Sequence, residues 1–220
     1  LKYPASTRMM EGEDEVVAKI RGVLCGKDLP PYTEVPFNTN STSRIRNLRQ
    51  HVKVTGLGSD DFAAYIDKLH EVHEMFVEHV KDRFVVPFDF LPHEGHESVE
   101  SHSRYFTDRF LVPYEKNQPF LPGVDPHHVL RKIQPDDFIH GQDNIVEYCV
   151  RNMGTKGPTY DACDPSLFKV GDVVEVAFSF VGVPIKDKRM RVILQLRGLT
   201  LLDNTIRKVR RIYSMRDTGD

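Results

Sequence analysis

A chain of 220 residues can bury a core without disulfides or metal, and its 40% hydrophobic and 28% charged content excludes a disordered, collagen-like or low-complexity protein. No stretch approaches the roughly 18 apolar residues of a membrane span, and the first thirty residues lack a signal-peptide layout. The three cysteines, Cys25, Cys149 and Cys163, stand at unrelated spacings and write neither a disulfide framework nor a zinc knuckle.

The expectation is therefore an intracellular protein, cytoplasmic or nuclear, with no membrane partner. The net charge of -2 hides an asymmetry: residues 167–220 hold 11 Lys and Arg against 6 Asp and Glu, whereas residues 1–166 hold 19 against 26. A basic C-terminal quarter points to an anionic partner or to attraction between the two halves of the chain.

In chain order, Val16, Val17, Ile20, Val23 and Leu24 recur at helical spacing behind an acidic start and ahead of Gly26, which predicts a helix over 13–25. Pro30, Pro31 and Pro36 then enforce an extended connection, and the sequon Asn40-Ser41-Thr42 falls in a polar loop. Residues 44–53 carry Arg44, Arg46, Arg49 and Lys53 with no acid, a basic helical face or an irregular arm. The clearest helix runs over 60–83, capped by Ser59, with Phe62, Ile66, Leu69, His73, Phe76 and Val80 on one stripe. A short strand over 84–90, a polar loop over 93–102, a helix over 99–110 and a brief helix opened by Asp125-Pro126 complete this part.

From residue 145 the pattern turns to strands. Val174, Val176, Phe178 and Phe180 alternate with Glu175, Ala177 and Ser179, and Met190, Val192, Leu194 and Leu196 with Arg191, Ile193, Gln195 and Arg197, around a turn at Lys186 to Lys188; this predicts an antiparallel hairpin. The fold-class expectation is α+β, with a helical N-terminal part and a β-rich, small-barrel C-terminal module, divided as 1–58, 59–135 and 136–220.

The string Phe168-Lys169-Val170-Gly171-Asp172-Val173-Val174-Glu175-Val176, continuing through Phe178-Ser179-Phe180, Val183-Pro184 and Leu196-Arg197 to Leu199-Thr200-Leu201-Leu202-Asp203, resembles a family of uncharacterised fungal proteins over about residues 134–203. Ile139-His140, Asp143-Asn144 and Glu147-Tyr148 are similar too. The resemblance implies a β module and no particular chemistry.

Ten histidines are the most unusual compositional feature. His93, His96 and His102 are the densest potential metal ligands, but their spacing matches no standard zinc or iron site, and a solvated polar loop is preferred; no cofactor is expected. His73 lies on an apolar stripe and reads as a core histidine. His127, His128 and His140 could act as general bases but have no marked partner, and Cys149 reads as a small buried hydrophobe. The triplet Asp217-Thr218-Gly219 copies an aspartic-protease motif without the strand context that chemistry needs. No phosphate loop, dinucleotide fingerprint or nucleophile elbow is present, so whether the chain is an enzyme stays open.

Strand alternation opposes Arg189, Arg191 and Arg197 to the apolar face, with Lys186 and Lys188 at the hairpin tip and Arg207, Lys208, Arg210 and Arg211 just beyond. The favoured reading is a binding module for DNA or RNA on this basic face. The alternatives are a metal-dependent enzyme using His93, His96 and His102, and a protein-interaction domain of a larger polypeptide.

Overall fold

The computed structural model describes residues 6–36 and 42–205. Strands β1 (Thr7–Arg8), β2 (Met10–Glu11), β3 (Asp14–Glu15) and β4 (Val17–Asp28) precede helix α1 (Thr42–Asn47) and strand β5 (Arg49–Thr55). Helix α2 (Asp60–His79), strands β6 (Phe84–Val86), β7 (Ser98–Arg104) and β8 (Thr107–Asp108), helix α3 (Val129–Ile133) and strand β9 (Phe138–Ile139) follow. The C-terminal part is built from β10 (Glu147–Gly154), β11 (Gly157–Ala162), β12 (Val173–Ile185) and β13 (Arg189–Asp203).

The α+β expectation with a helical N-terminal part is corrected: the chain is mainly β, and residues 17–28 form the long strand β4. The apolar spacing there fits either period. In the strand, Ile20 and Leu24 are buried while Val17 is exposed, and the β-branched content favours the pleated alternative once β12 and β5 are available on either side. The predicted helix over 99–110 is likewise corrected to β7, whose inward residues are Val99, Ser101 and Ser103. Only one of those three is apolar, so no strand alternation was visible. The Ser101 hydroxyl donates to the Leu194 carbonyl at 3.0 Å and ties β7 to β13 where the ladder is short.

Five strands close on one another in the order β4–β5–β7–β13–β12 and back to β4. All these pairings are antiparallel except β7 with β13, which is parallel and registers Gln195 with His102. Numbered along the chain, that is order 1-2-3-5-4-1, the connectivity of a five-stranded, partly open Greek-key barrel of the OB type. Strand β10 pairs parallel with the second half of β13, and β11 extends the sheet beyond it.

The β12–β13 hairpin follows the predicted alternation. Val174, Val176, Phe178 and Phe180 on one strand and Met190, Val192, Leu194 and Leu196 on the other are buried in the barrel interior. Asp187 and Lys188 adopt positive φ at its tip, the conformation a two-residue primed turn requires.

Helix α2 agrees with the sequence reading over Asp60–His79. The Ser59 hydroxyl accepts from the Phe62 amide at 3.4 Å, and Phe62, Ile66, Leu69, His73 and Phe76 are buried. It lies against the barrel where two strands carry glycine. A Cβ on Gly22 would stand 2.9 Å from the Thr55 carbonyl and 3.1 Å from the Phe62 ring; one on Gly182 would stand 3.1 Å from the Phe76 ring. Bare backbone at both places lets the helix approach. The brief helix after Asp125 is α3, and the Asp125 carboxylate accepts from the Leu130 and Arg131 amides, at 3.0 Å each.

Among the described residues, no helix is long and apolar enough to cross a membrane. Asn40 and Ser41 of the sequon, the basic segment with Arg207, Lys208, Arg210 and Arg211, and Asp217-Thr218-Gly219 lie outside the described residues.

Candidate nucleic-acid interface

On β5, Gln50, Val52 and Val54 point into the barrel, so Arg49, His51 and Lys53 point out; on β7 the outward set is Glu100, His102 and Arg104. The antiparallel register places Arg49 opposite Arg104, His51 opposite His102, and Lys53 opposite Glu100. Only the last pair is matched in charge, and Glu100 also lies 3.5 Å from His51. Like charges directly opposite on a sheet destabilise it.

Arg46 of α1 reaches the same end of the strip. Its guanidinium lies 5.5 Å above the Phe138 ring and bonds Asp108 at 3.2 Å. Burial depresses the Arg104 pKa, and the charges of Arg49 and Arg46 depress it further. Neither Arg49 nor Arg104 has a carboxylate partner among the described residues.

His102, at the centre of the strip, is pushed down to about 4, first by burial and then by Arg49, His51 and Arg104. Its imidazole is therefore neutral in the native state at neutral pH. Between about pH 6.5 and 4 the unfolded chain binds a proton at this residue that the native chain does not, so native stability falls as pH falls through that window. Urea denaturation of wild type and His102→Gln across the window should show a loss on the order of 2 kcal/mol in the wild type that the variant lacks. Parallel curves for the two proteins would refute the assignment.

The basic face continues onto β13. Gln195 is the Cα partner of His102, and alternation puts Ile193, Arg191 and Arg189 on the same side. Arg189 and Arg191 are exposed, with Lys186 and Lys188 exposed at the tip. The sequence gives no aromatic neighbour to these arginines, but the fold does: β6 registers Phe84 beside Arg189, and that ring is 63% exposed.

Arg197, expected on the same face, is engaged elsewhere. Its guanidinium bonds the Ser179 hydroxyl at 3.0 Å, the Asp143 carbonyl at 3.2 Å and the carboxylates of Asp143 and Glu15, while Arg8 bonds the same two acids. Beside this network, a groove of about 650 Å³ runs along the second half of β13, lined by Glu15, Asp143, Glu147 and Glu175 against Lys19 and Arg197. Both cations of the lining are already held by its acids, Lys19 by Glu175 and Arg197 by Glu15 and Asp143, which leaves neither free for phosphate.

The histidines of the alternative metal reading do not converge. His93 and His96 exchange backbone hydrogen bonds of 2.7 and 3.0 Å across a turn in which Glu94 and Gly95 have positive φ, and the His96 ring lies over Gly58. His102 stands six residues further along, roughly 20 Å away if extended. Among the described residues, no three His, Cys, Asp or Glu side chains are grouped to hold a metal. His140 is buried, with Nδ1 2.8 Å from the Tyr105 carbonyl and its ring 4.3 Å from that of Phe120. His73 is buried beside Phe88, as its place on the stripe requires. Cys149 is half-buried along the acidic groove, and burial pushes its thiol pKa up.

The sequence reading passed over His51 and Arg104 and placed Arg49 on a basic helical face or irregular arm and His102 among potential metal ligands, where the fold puts all four on one sheet face. Arg49, His51 and Lys53 alternate strictly, which is a strand signal, but their polar character left no apolar face by which to recognise it.

No family model and no curated protein matches the chain. Among solved structures it is similar to gp2.5, a single-stranded DNA binding protein encoded by bacteriophage T7, with a TM-score of 0.44 and 12% identity over 85% of this chain and 91% of that one. At that degree of likeness, any functional reading rests on the geometry of the chain itself.

Proposed function

We propose that this chain binds nucleic acid along the outer face of β5, β7 and the first half of β13, with Arg49, Arg104, Arg189 and Arg191 on phosphates, His51 and His102 between them, and Lys186 and Lys188 at one end. The observation that carries the reading is the cross-strand pair Arg49 and Arg104, which has no carboxylate partner among the described residues. A folded sheet tolerates such a pair at a cost, and a polyanion laid along the strip would relieve it. Strands 2 and 3 of OB-type barrels form a recurrent oligonucleotide surface, which supports the reading by fold-level analogy only.

Contacts of this kind are dominated by counterion release. Four to six phosphate contacts give a slope of log K against log salt of about -3 to -5. Fluorescence anisotropy with a labelled 20-nucleotide probe, titrated between about 20 and 300 mM salt, should return a slope in that range. Absence of binding at the lowest salt, or affinity indifferent to salt, would overturn the proposal.

A further inference from the structure

The loop that follows β8 holds large apolar side chains in water. Phe110 is 71% exposed, Leu111 48% and Tyr114 97%. The backbone beneath them is fixed. The Arg109 amide donates to the Asp137 carbonyl at 2.8 Å, Leu111 to Asp108 at 2.9 Å, Glu115 to Val112 at 3.1 Å, and Gln118 to His140 at 2.7 Å. Large apolar side chains exposed within five residues of a hydrogen-bonded loop mark a contact surface.

Its position says what kind. The chain leaves the basic strip at Arg104 and reaches Phe110 six residues later, at most about 20 Å away. Asp108 joins the two regions: one carboxylate oxygen accepts from the Phe110 amide at 2.9 Å and the other from Arg46 at 3.2 Å. A row of cations therefore runs up to an exposed aromatic lip. A ligand satisfying both must carry regularly spaced anions and bare, flat apolar faces. Single-stranded nucleic acid has both, whereas a duplex hides its base faces in the stack.

Resting on the nucleic-acid reading above, we infer that Phe110 and Tyr114 form a base-stacking platform for a single strand whose phosphates follow the Arg46, Arg49 and Arg104 end of the strip. The chain has no tryptophan to mask the emission of its eight tyrosines, and the share that belongs to Tyr114 is isolated by its replacement with phenylalanine.

The test uses the whole chain with an unlabelled 20-nucleotide single strand and with the corresponding duplex, at one salt concentration. Wild type should prefer the single strand by about tenfold or more. Phe110→Ala and Tyr114→Ala should each lose roughly 5- to 100-fold on the single strand, with duplex affinity and melting temperature unchanged. Tyr114→Phe should keep the affinity while part of the emission quenching disappears. Single-strand binding unchanged in both alanine variants overturns this inference and leaves the basic strip standing. Wild type that binds neither nucleic acid overturns both. If sedimentation shows that wild type self-associates and the alanine variants do not, with single-strand affinity unaltered, the patch is a contact between copies and the inference is wrong.

Discussion

Reversing Arg49 and Arg104 together to glutamate should lower nucleic-acid affinity by roughly 100-fold or more at ~100 mM salt while leaving the barrel folded. The two side chains are direct cross-strand partners on the outer face, so both meet the same stretch of ligand. Each charge-assisted contact contributes about 1.5–3 kcal/mol, and removing two accounts for most of the loss. The new carboxylates add repulsion along the phosphate path. The slope of log K against log salt should also become shallower by about 1.5 to 2, because two counterion-releasing contacts are gone. Stability should change little, since one like-charge pair on the outer face replaces another. Circular dichroism and a melting curve provide that control. Retained affinity with an unchanged salt slope would place the interface elsewhere, with the exposed Arg189 and Arg191 end as the next place to look.

How much of this was legible in the sequence depended on whether the period of an element was written in apolar residues. The β12–β13 hairpin was readable because Val174, Val176, Phe178 and Phe180 on one strand and Met190, Val192, Leu194 and Leu196 on the other are all buried, and on each strand they recur at every second position. Helix α2 was readable for the same reason at its own period, and its Ser59 cap was visible too. Strand β4 was not. Its inward positions include Gly22, small because α2 presses on it, and a register shift between Leu24 and Gly26 breaks the alternation, so the remaining valines and leucines happened to fit a helix. Strand β7 has Ser101 and Ser103 where apolar residues would have shown the pattern, because it meets β13 through a side-chain bond more than through a ladder.

The site divided along the same line. Arg189 and Arg191 were placed correctly on the outer face because the hairpin was. Arg49 and Arg104 are 55 positions apart, and nothing local says that they are neighbours; only closure of the barrel makes them a pair. Arg46, Asp108 and Phe110 come together in the same way, through a helix and a loop whose proximity depends on tertiary packing. Alternation alone grouped Arg197 with Arg191. It could not show that the N-terminal segment brings Arg8 and Glu15, and the turn before β10 brings Asp143, onto that part of the strand.

That difference between two arginines on one strand sets the last expected result. Arg191→Glu should change stability by no more than about 0.5 kcal/mol, because the side chain is exposed and makes no ion pair among the described residues. Arg197→Glu should cost about 3–5 kcal/mol, since it places a third carboxylate against Glu15 and Asp143 at a side chain only 16% exposed. Burial pushes the Glu15 carboxyl up, but hydrogen bonds and charge from Arg8 and Arg197 outweigh it and hold the group below the ordinary carboxylate range. Without Arg197 that group loses one of its two cations. Arg197→Met, which keeps the packing of the stem, should cost less than the charge reversal because Arg8 still spans both acids. Urea unfolding midpoints at neutral pH separate these cases. If Arg197→Glu and Arg191→Glu unfold at the same midpoint, the network does not clasp the N-terminal segment to the barrel, and Arg197 returns to the face available to phosphate.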